Sequence, residues 1–171
     1  MLNPTSGRNA LINVKIDHNP IGSEGMKHLS EGLKMNKDIQ NLSLTYCNID
    51  ESGARHIFEL LLFQGSTLEE IDLGGNHLRN DGTIMVLRGA AVAKSLKKLG
   101  LQDNQFMEED KVLEAIDFCM KKNVGLGKYN FKYNFISDHG VEAICTTLGE
   151  ANHVFEVEIP ERISKATMEL F

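Results

Sequence analysis

The chain has 171 residues, of which 42% are apolar and 25% are charged, and its formal net charge is −6 at pH 7. This length and composition are typical of a globular protein with one buried core, and they exclude an obligately disordered chain. The acidic balance argues against non-specific nucleic-acid binding, because a phosphate backbone attracts a basic face.

The cysteines and the apolar runs limit the compartment and the cofactors. Cys47, Cys119 and Cys145 are odd in number and widely spaced, and none has the spacing of metal ligands. We therefore predict a reducing, cytoplasmic setting, with the thiols packed as small core residues and no metal or cofactor bound. No apolar run approaches the roughly 20 residues of a membrane span, and the first ten residues lack the apolar region of a signal peptide.

Five short segments repeat one pattern along the chain. In chain order they are VKIDHNPI (14–21), LSLTYCNI (42–49), IDLGGNHL (71–78), LGLQDNQF (99–106) and YNFKYNFI (129–136). Each has two apolar residues that alternate with polar ones, then a polar anchor and a further apolar residue. The anchors are Asn19, Cys47, Asn76, Asn104 and Asn134, at separations of 28, 29, 28 and 30 residues. The alternation predicts five very short strands, each buried on one face.

A helix is predicted after each strand. Six residues beyond four of the anchors stand Gly25, Gly53, Gly82 and Gly140. Apolar residues then recur at spacings of three, four and seven, which is one face of a helix. In the fourth repeat Asp110 replaces the glycine, and the helical face fits only after a one-residue insertion near MEED (107–110).

The combined pattern is the signature LxxLxLxxN/CxL, and the chain resembles leucine-rich repeat proteins of the ribonuclease-inhibitor-like subclass. The resemblance covers about residues 11 to 160. It implies an α/β solenoid, a right-handed β-α superhelix forming part of a horseshoe, with a parallel inner sheet and outer helices. Residues 1–10 are then a poorly ordered lead-in, 11–153 hold five repeats, and 154–171 form a terminal strand and a capping segment.

The polar anchors are predicted to be structural. A sharp turn after each strand leaves backbone N–H and C=O groups that need partners inside the coil. An asparagine side chain offers two donors and an acceptor for them. We therefore predict a stacked ladder of Asn19, Cys47, Asn76, Asn104 and Asn134.

The outward residues of the strands are predicted to line a concave face that binds a protein partner. The candidates alternate with or directly follow the apolar pairs: Lys15, Asp17, His18, Ser43, Thr45, Tyr46, Asp72, Gln102, Asp103, Asn130, Lys132 and Tyr133. Exposed tyrosines are favoured at interfaces. Here Tyr46 and Tyr133 are expected to flank a shallow depression in the surface, formed by Gly74, Gly75 and Gly100.

Nothing in the sequence indicates catalysis. The acidic run at 108–110 is predicted to be a solvated loop, and Asp138, beside His139, is predicted to be a helix N-cap. Phosphate-loop, zinc-protease and nucleophile-elbow motifs do not occur. The basic, aromatic stretch KKNVGLGKYNFKY (121–133) places Tyr129 and Phe131 in the core, so it does not predict nucleic-acid binding.

The predicted function is that of a non-enzymatic scaffold in the cytoplasm. Two alternatives come from other classes. GTPase-activating proteins of nuclear transport use this repeat type, although the long acidic tail implied by that resemblance does not occur here. Actin pointed-end cappers resemble this chain in carrying about five such repeats, which suggests a cytoskeletal or axonemal component, although their partner-binding helices have no match.

The two ends of the solenoid are predicted to differ. Ile163, Ala166 and Leu170 have the spacing of a helix that could cover the last repeat. The ten residues before Leu11 are too short and polar to cover the first one. Because interior repeats expose apolar residues and strand edges, this predicts self-association or further repeats at the N-terminal edge.

Overall fold

The computed structural model describes residues 11–169, and within this range strands and helices alternate. The strands are β1 Asn13–Lys15, β2 Asn41–Ser43, β3 Glu70–Asp72, β4 Lys98–Gly100, β5 Lys128–Asn130 and β6 Glu156–Glu158. The helices are α1 Gly22–Met35, α2 Glu51–Leu62, α3 Arg79–Ala90, α4 Asp110–Lys122, α5 Asp138–Leu148 and α6 Lys165–Met168. The predicted lead-in at residues 1–10 lies outside the described residues.

The six strands form one open parallel sheet in chain order, and each strand pairs only with its sequence neighbours. The central residues are in register from strand to strand, as in the pairs Val14–Leu42, Leu42–Ile71 and Ile71–Leu99. Three residues are enough for each strand, because the strand needs to supply only one layer of core. The chain is therefore an α/β leucine-rich repeat solenoid, as the sequence predicts.

The core lies between the sheet and the helices. Apolar residues from the strand centres, the strand ends and the inner helix faces form one continuous cluster. Aromatic rings fill its C-terminal part, where Phe131 lies edge-on to Phe106 at 6.2 Å and tilted against Tyr129 at 5.8 Å between ring centroids. Burial raises the pKa of the nearby Cys119 thiol to about 12, so this cysteine is an inert core residue.

The recurring glycine marks a close contact at the start of α1, α2, α3 and α5. A Cβ on Gly53 would lie 2.6 Å from Cγ2 of Ile49, and a Cβ on Gly140 would lie 2.6 Å from Cγ2 of Ile136. The apolar residue two positions after the anchor therefore occupies the space that a side chain would need. The glycine is thus a packing requirement of the strand-to-helix turn.

The fourth repeat has a longer turn before its helix. Helix α4 begins at Asp110, six residues after its anchor, whereas the other helices begin three or four residues after theirs. Within the longer turn Met107 forms a parallel bridge with Phe135 of the next repeat. Asp50 and His77 form the equivalent bridge between the second and third repeats, so the insertion leaves this pairing intact.

The same turn supplies the cap of the following helix. The Glu108 carboxylate accepts hydrogen bonds from the Ser137 N–H and hydroxyl, both at 2.5 Å, and from the Gly140 N–H at 3.1 Å. The prediction that Asp138 caps α5 is wrong. Ser137 is the N-cap residue, and Asp138 instead accepts a 2.8 Å hydrogen bond from the Ser164 N–H. Glu108 thus bonds the Gly140 N–H in the first turn of α5, while Asp138 holds the C-terminal segment.

The C-terminal helix α6 is only four residues long. Its cap is Ser164, whose Oγ accepts a hydrogen bond from the Thr167 N–H at 3.2 Å. The predicted apolar face is wrong at Ala166, which is exposed, while the neighbouring Thr167 is buried. Leu170 lies outside the described residues. At the other end, Leu11 is 57% and Ile12 is 41% exposed.

Candidate functional site

The surface of the sheet that faces solvent, on the side opposite the helices, is polar along its whole described length. Its outward strand residues are Asn13, Lys15, Asn41, Ser43, Glu70, Asp72, Lys98, Gly100, Lys128, Asn130, Glu156 and Glu158. A shallow cavity of about 150 Å³ lies over β1 to β4. Any partner that lies on this surface meets hydrogen-bonding and charged groups rather than an apolar patch.

Most of the basic charge on the C-terminal half of this surface is paired. The Lys128 ammonium lies 2.8 Å from the Glu156 carboxylate, and the Lys132 ammonium lies 2.7 Å from that of Glu158. These hydrogen bonds raise the pKa of both lysines. The basic stripe seen in the sequence is therefore neutralised by the terminal strand, and Asn130 lies between the two ion pairs.

The middle of the surface is not hollow. The side chain of Gln102 lies over Gly74, where any Cβ would collide with it, and its Nε2 donates to the Asp72 carboxylate at 2.8 Å. The prediction of a depression at Gly74, Gly75 and Gly100 is therefore wrong, because longer side chains from the neighbouring repeats fill this space.

The N-terminal candidates form a second hydrogen-bonded group. The Asp17 carboxylate accepts hydrogen bonds from the Ser43 hydroxyl at 2.6 Å and from the Thr45 N–H at 2.9 Å. Partial burial would raise the pKa of Asp17, but these hydrogen bonds lower it overall. Lys15 is exposed beside this group.

Five residues form a row at the C-terminal ends of strands β1 to β5, each three positions beyond the last residue of its strand. We call this row the rim: His18, Tyr46, Gly75, Asp103 and Tyr133. All five have left-handed backbone conformations, with φ values of 59°, 54°, 69°, 52° and 59° in that order. The shared conformation places the five residues at equivalent positions in successive repeats.

Backbone hydrogen bonds tie the rim together. The N–H of His18 donates to the Thr45 carbonyl at 2.8 Å, and the N–H of Tyr46 donates to the Gly74 carbonyl at 2.9 Å. The N–H groups of Gly75 and Asp103 make the equivalent bonds, both at 2.9 Å, to Gln102 and Lys132. The rim therefore continues the parallel pairing beyond the strands, and its side chains stand on a rigid backbone.

Tyr46 is held between three other rim residues. Its ring stacks on the His18 ring with centroids 4.9 Å apart and planes 6° from parallel. The ring crosses Gly75, and its hydroxyl lies 3.4 Å from the Asp103 carboxylate. The charge of Asp103 raises the pKa of Tyr46, so the phenol stays protonated as a donor. Tyr46 is nevertheless 52% exposed, so it is oriented in advance and accessible.

Replacing Gly75 with alanine is expected to displace the Tyr46 ring, because the added Cβ would collide with it. Positive φ alone also disfavours alanine, so Gly22→Ala is the matched control: Gly22 has a φ of +61° and open space around the added Cβ. We expect both variants to lose about 1 kcal/mol of unfolding free energy. Only Gly75→Ala should change the NMR ring-proton shifts of Tyr46, and equal shifts in both variants would contradict this packing.

Tyr133 lies at the other end of the rim beside apolar residues that the sequence did not single out. Tyr133 is 65%, Phe135 is 63% and Met107 is 55% exposed. An open groove of about 750 Å³ runs between Tyr133, Phe135 and Pro160. The signal that could have identified Phe135 is its position next to an anchor, where a residue of the turn points away from the core.

The anchors lie behind the rim, and the central ones are buried. Oδ1 of Asn76 accepts from the N–H groups of Cys47 and Ile49, both at 3.0 Å, and its Nδ2 donates to the carbonyls of Leu44 and Leu73. Each such side chain therefore joins its own turn to that of the preceding repeat.

The other anchors follow this arrangement in part. Asn134 donates to the Leu101 carbonyl at 2.9 Å and accepts from the Asn104 N–H at 2.8 Å, while Asn104 donates to the Leu73 carbonyl at 2.9 Å. The Cys47 thiol donates to the Ile16 carbonyl at 3.3 Å. Asn19 is exposed, and among residues 11–169 its side chain bonds only carbonyls of its own turn.

The acidic and histidine candidates do not assemble into a catalytic group. Glu108 and Asp138 both hold backbone N–H groups, as described above, and His139 is exposed. Across residues 11–169, no three His, Cys, Asp or Glu side chains are grouped so that they could hold a metal ion. No helix in the same range combines the length and apolar character needed to cross a bilayer.

Comparison with known proteins agrees with the repeat architecture. The family model described as "Leucine Rich repeat" matches residues 66–86. The mouse protein "NACHT, LRR and PYD domains-containing protein 9B" is 31% identical over 156 residues, which are 84% of this chain and 15% of that protein. Human "NACHT, LRR and PYD domains-containing protein 13" is 35% identical over 94 residues, 52% of this chain and 9% of that protein. The chain thus spans a small part of these relatives.

Two solved structures share the fold. The tropomodulin C-terminal domain of Caenorhabditis elegans superposes with a TM-score of 0.70 at 20% identity, covering 84% of this chain and 86% of that one. The structure titled "Leiomodin-1 Actin-Binding Site 2" superposes with a TM-score of 0.63 at 18% identity, covering 82% and 80%. With its repeated strands, helices and anchors, the chain is a leucine-rich repeat protein.

Proposed function

We propose that the protein is a non-enzymatic scaffold that binds a protein partner through the rim and the adjoining concave face. The observation that carries the proposal is the fixed position of Tyr46, which is half-exposed yet stacked on His18 and directed at Asp103. Tyrosines contribute strongly to protein interfaces because they offer a large apolar face together with a hydroxyl group. A ring that is ordered before binding loses little conformational entropy on association.

The arrangement of charge supports the same surface. Ion pairs occupy the C-terminal strands, and hydrogen bonds hold Asp17 and Asp72, so these polar groups are ordered in the absence of a partner. Ordered polar groups around exposed aromatic residues are typical of the margin of a protein interface. The free cysteines support a cytoplasmic setting for this partner. The repeat length of 28–30 residues supports the ribonuclease-inhibitor-like subclass.

The double substitution Tyr46→Ala with Tyr133→Ala is expected to weaken partner binding at least tenfold, or about 1.4 kcal/mol. Both rings are exposed, so thermal stability should change little. Partners captured from native lysate on the wild-type protein should be identified by mass spectrometry, and their affinities for both proteins then measured by calorimetry.

The matched control is Phe118→Ala, which removes a 49% exposed aromatic ring from helix α4 on the outer layer. This control should bind the partner as the wild type does. If Phe118→Ala weakens binding while the tyrosine pair does not, the partner uses the helical face and the proposal is wrong.

A cytoskeletal role is a second candidate, and the likeness to the leiomodin-1 structure titled as an actin-binding site favours it. If this chain shares that property, it should co-sediment with actin filaments at micromolar protein. Co-sedimentation that survives the double tyrosine substitution would assign actin to another surface. Failure of the protein to sediment with filaments, or to bind monomeric actin in calorimetry, would reject this candidate.

A further inference from the structure

We propose that Tyr46, Asp103 and Tyr133 of the rim form a site for a cationic side chain, arginine or lysine, presented by the partner. The inference rests on the proposed function, because it names the chemistry that the same surface recognises. The three residues combine two accessible aromatic rings with a carboxylate, and each of these groups attracts a positive charge.

Asp103 is the acidic centre of this site. Within the described part of the chain its carboxylate lies within 4.0 Å of no lysine, arginine or histidine nitrogen, and its hydrogen-bond partner is the Tyr46 hydroxyl at 3.4 Å. By contrast, Glu156 and Glu158 on β6 each have a lysine partner. A carboxylate has room for about four hydrogen bonds, so Asp103 retains acceptor capacity for a guanidinium or an ammonium group.

The two tyrosines stand on either side of Asp103. Tyr133 follows it directly in the rim, through the backbone bond from the Asp103 N–H to the Lys132 carbonyl. Tyr46 comes from two repeats earlier, and its ring reaches Asp103 only because Gly75 between them has no side chain. A cation near the face of a tyrosine ring is attracted by the negative charge of the π system. A cation bound to Asp103 would therefore lie between the hydroxyl end of Tyr46 and the exposed ring of Tyr133, whose face remains accessible to it.

The surroundings of the site hold charge of both signs, because Arg162 lines the groove beside Tyr133 together with the acidic Glu161. The rim residues include no lysine or arginine. Glu161, three positions beyond the end of β6, corresponds to Tyr133 in the terminal unit. Lys132 is the nearest basic residue in the sequence, and its charge is paired with Glu158 at 2.7 Å. Since the whole chain carries a net charge of −6, a basic partner is also favoured during the approach to this surface.

Titration with N-acetyl-arginine amide, followed by NMR, tests the site directly. The expected result is a saturable change in the resonances of Tyr46, Asp103 and Tyr133. N-acetyl-citrulline amide has the same shape without the charge, and it should bind at least tenfold more weakly. Asp103→Asn should also weaken arginine binding at least tenfold; asparagine tolerates the left-handed backbone there and can still accept from Tyr46. The control Asp110→Asn removes an exposed carboxylate from helix α4 and should change nothing.

Three outcomes would overturn the inference: no perturbation of the three residues, equal binding of the citrulline probe, or an equal loss in Asp110→Asn. The last would indicate general attraction to an acidic protein. The proposed function is tested separately by partner capture. If Asp103→Asn keeps the captured partner while Tyr46→Ala with Tyr133→Ala loses it, the rim binds protein without recognising a cation. If both variants keep the partner, both proposals fail.

Discussion

Replacing Asn76 with leucine is expected to lower the free energy of unfolding by about 3 kcal/mol. Leucine has a similar size but cannot replace the hydrogen bonds to the N–H groups of Cys47 and Ile49 or to the carbonyls of Leu44 and Leu73. All these groups lie inside the solenoid, where water does not reach them. Each buried donor or acceptor left without a partner costs about 1–3 kcal/mol, and relaxation of the turn recovers part of this cost.

Chemical denaturation followed by circular dichroism measures the effect, and Asn19→Leu is the matched control. Asn19 has the same place in its repeat, but it is exposed, and within the described part of the chain its side chain bonds only the carbonyls of Ile16 and Asp17. Water can replace those bonds, so we expect the control to lose less than about 1 kcal/mol. Equal losses at Asn19 and Asn76 would show that bonding between repeats does not set the stability of the ladder.

The architecture follows from the sequence because one local pattern recurs at a nearly constant period. Val14, Leu42 and Ile71 occupy the same place in their repeats, and the structure brings them into register in the sheet. Register errors are costly in such a chain, since a slip of one residue would turn the apolar face of a strand to solvent. Even a weak signal in one repeat is therefore supported by its neighbours.

The sequence predicts which residues of the candidate site have equivalent positions in successive repeats, but it does not predict their side-chain contacts. The sequence places Tyr46, Gly75 and Asp103 in successive repeats, but it does not show that the Tyr46 ring crosses Gly75 to reach Asp103. That contact depends on the length and rotamer of one side chain across 57 residues of sequence. For the same reason the glycines suggested an empty surface, whereas Gln102 and Tyr46 cover it.

The cap of helix α5 shows how a local rule can fail in a repeat protein. Asp138 has a residue type and position typical of an N-cap, so the sequence favours a cap from within the segment. The structure takes the cap from Glu108, 29 residues before Ser137, because the longer turn of the fourth repeat brings that carboxylate to the end of the next helix. An insertion that looks like a defect in the pattern therefore makes a specific contact between repeats.

Replacing Glu108 with alanine is expected to lower the free energy of unfolding by about 2 kcal/mol. The substitution removes the acceptor for the N–H groups of Ser137 and Gly140 and for the Ser137 hydroxyl. The negative charge at the positive end of the helix is lost as well. Glu109→Ala is the matched control, because Glu109 is exposed and its side chain makes no cap for helix α4. A loss of similar size in the control would mean that general acidity of the turn, rather than the cap, stabilises this region.

The pH dependence of the cap gives a second, independent test with Glu108→Gln. Partial burial would raise the pKa of Glu108, but the hydrogen bonds from Ser137 and Gly140 lower it below the ordinary value of 4.5. A group with a depressed pKa in the folded state stabilises the protein fully above its unfolded pKa and loses this contribution as pH falls through the folded one. The stability difference between wild type and Glu108→Gln should thus be constant above about pH 5 and shrink as the pH falls below 4.5. Denaturation curves between pH 3 and pH 7 measure it, and a difference that is independent of pH would show that the charge of Glu108 does not contribute to the cap.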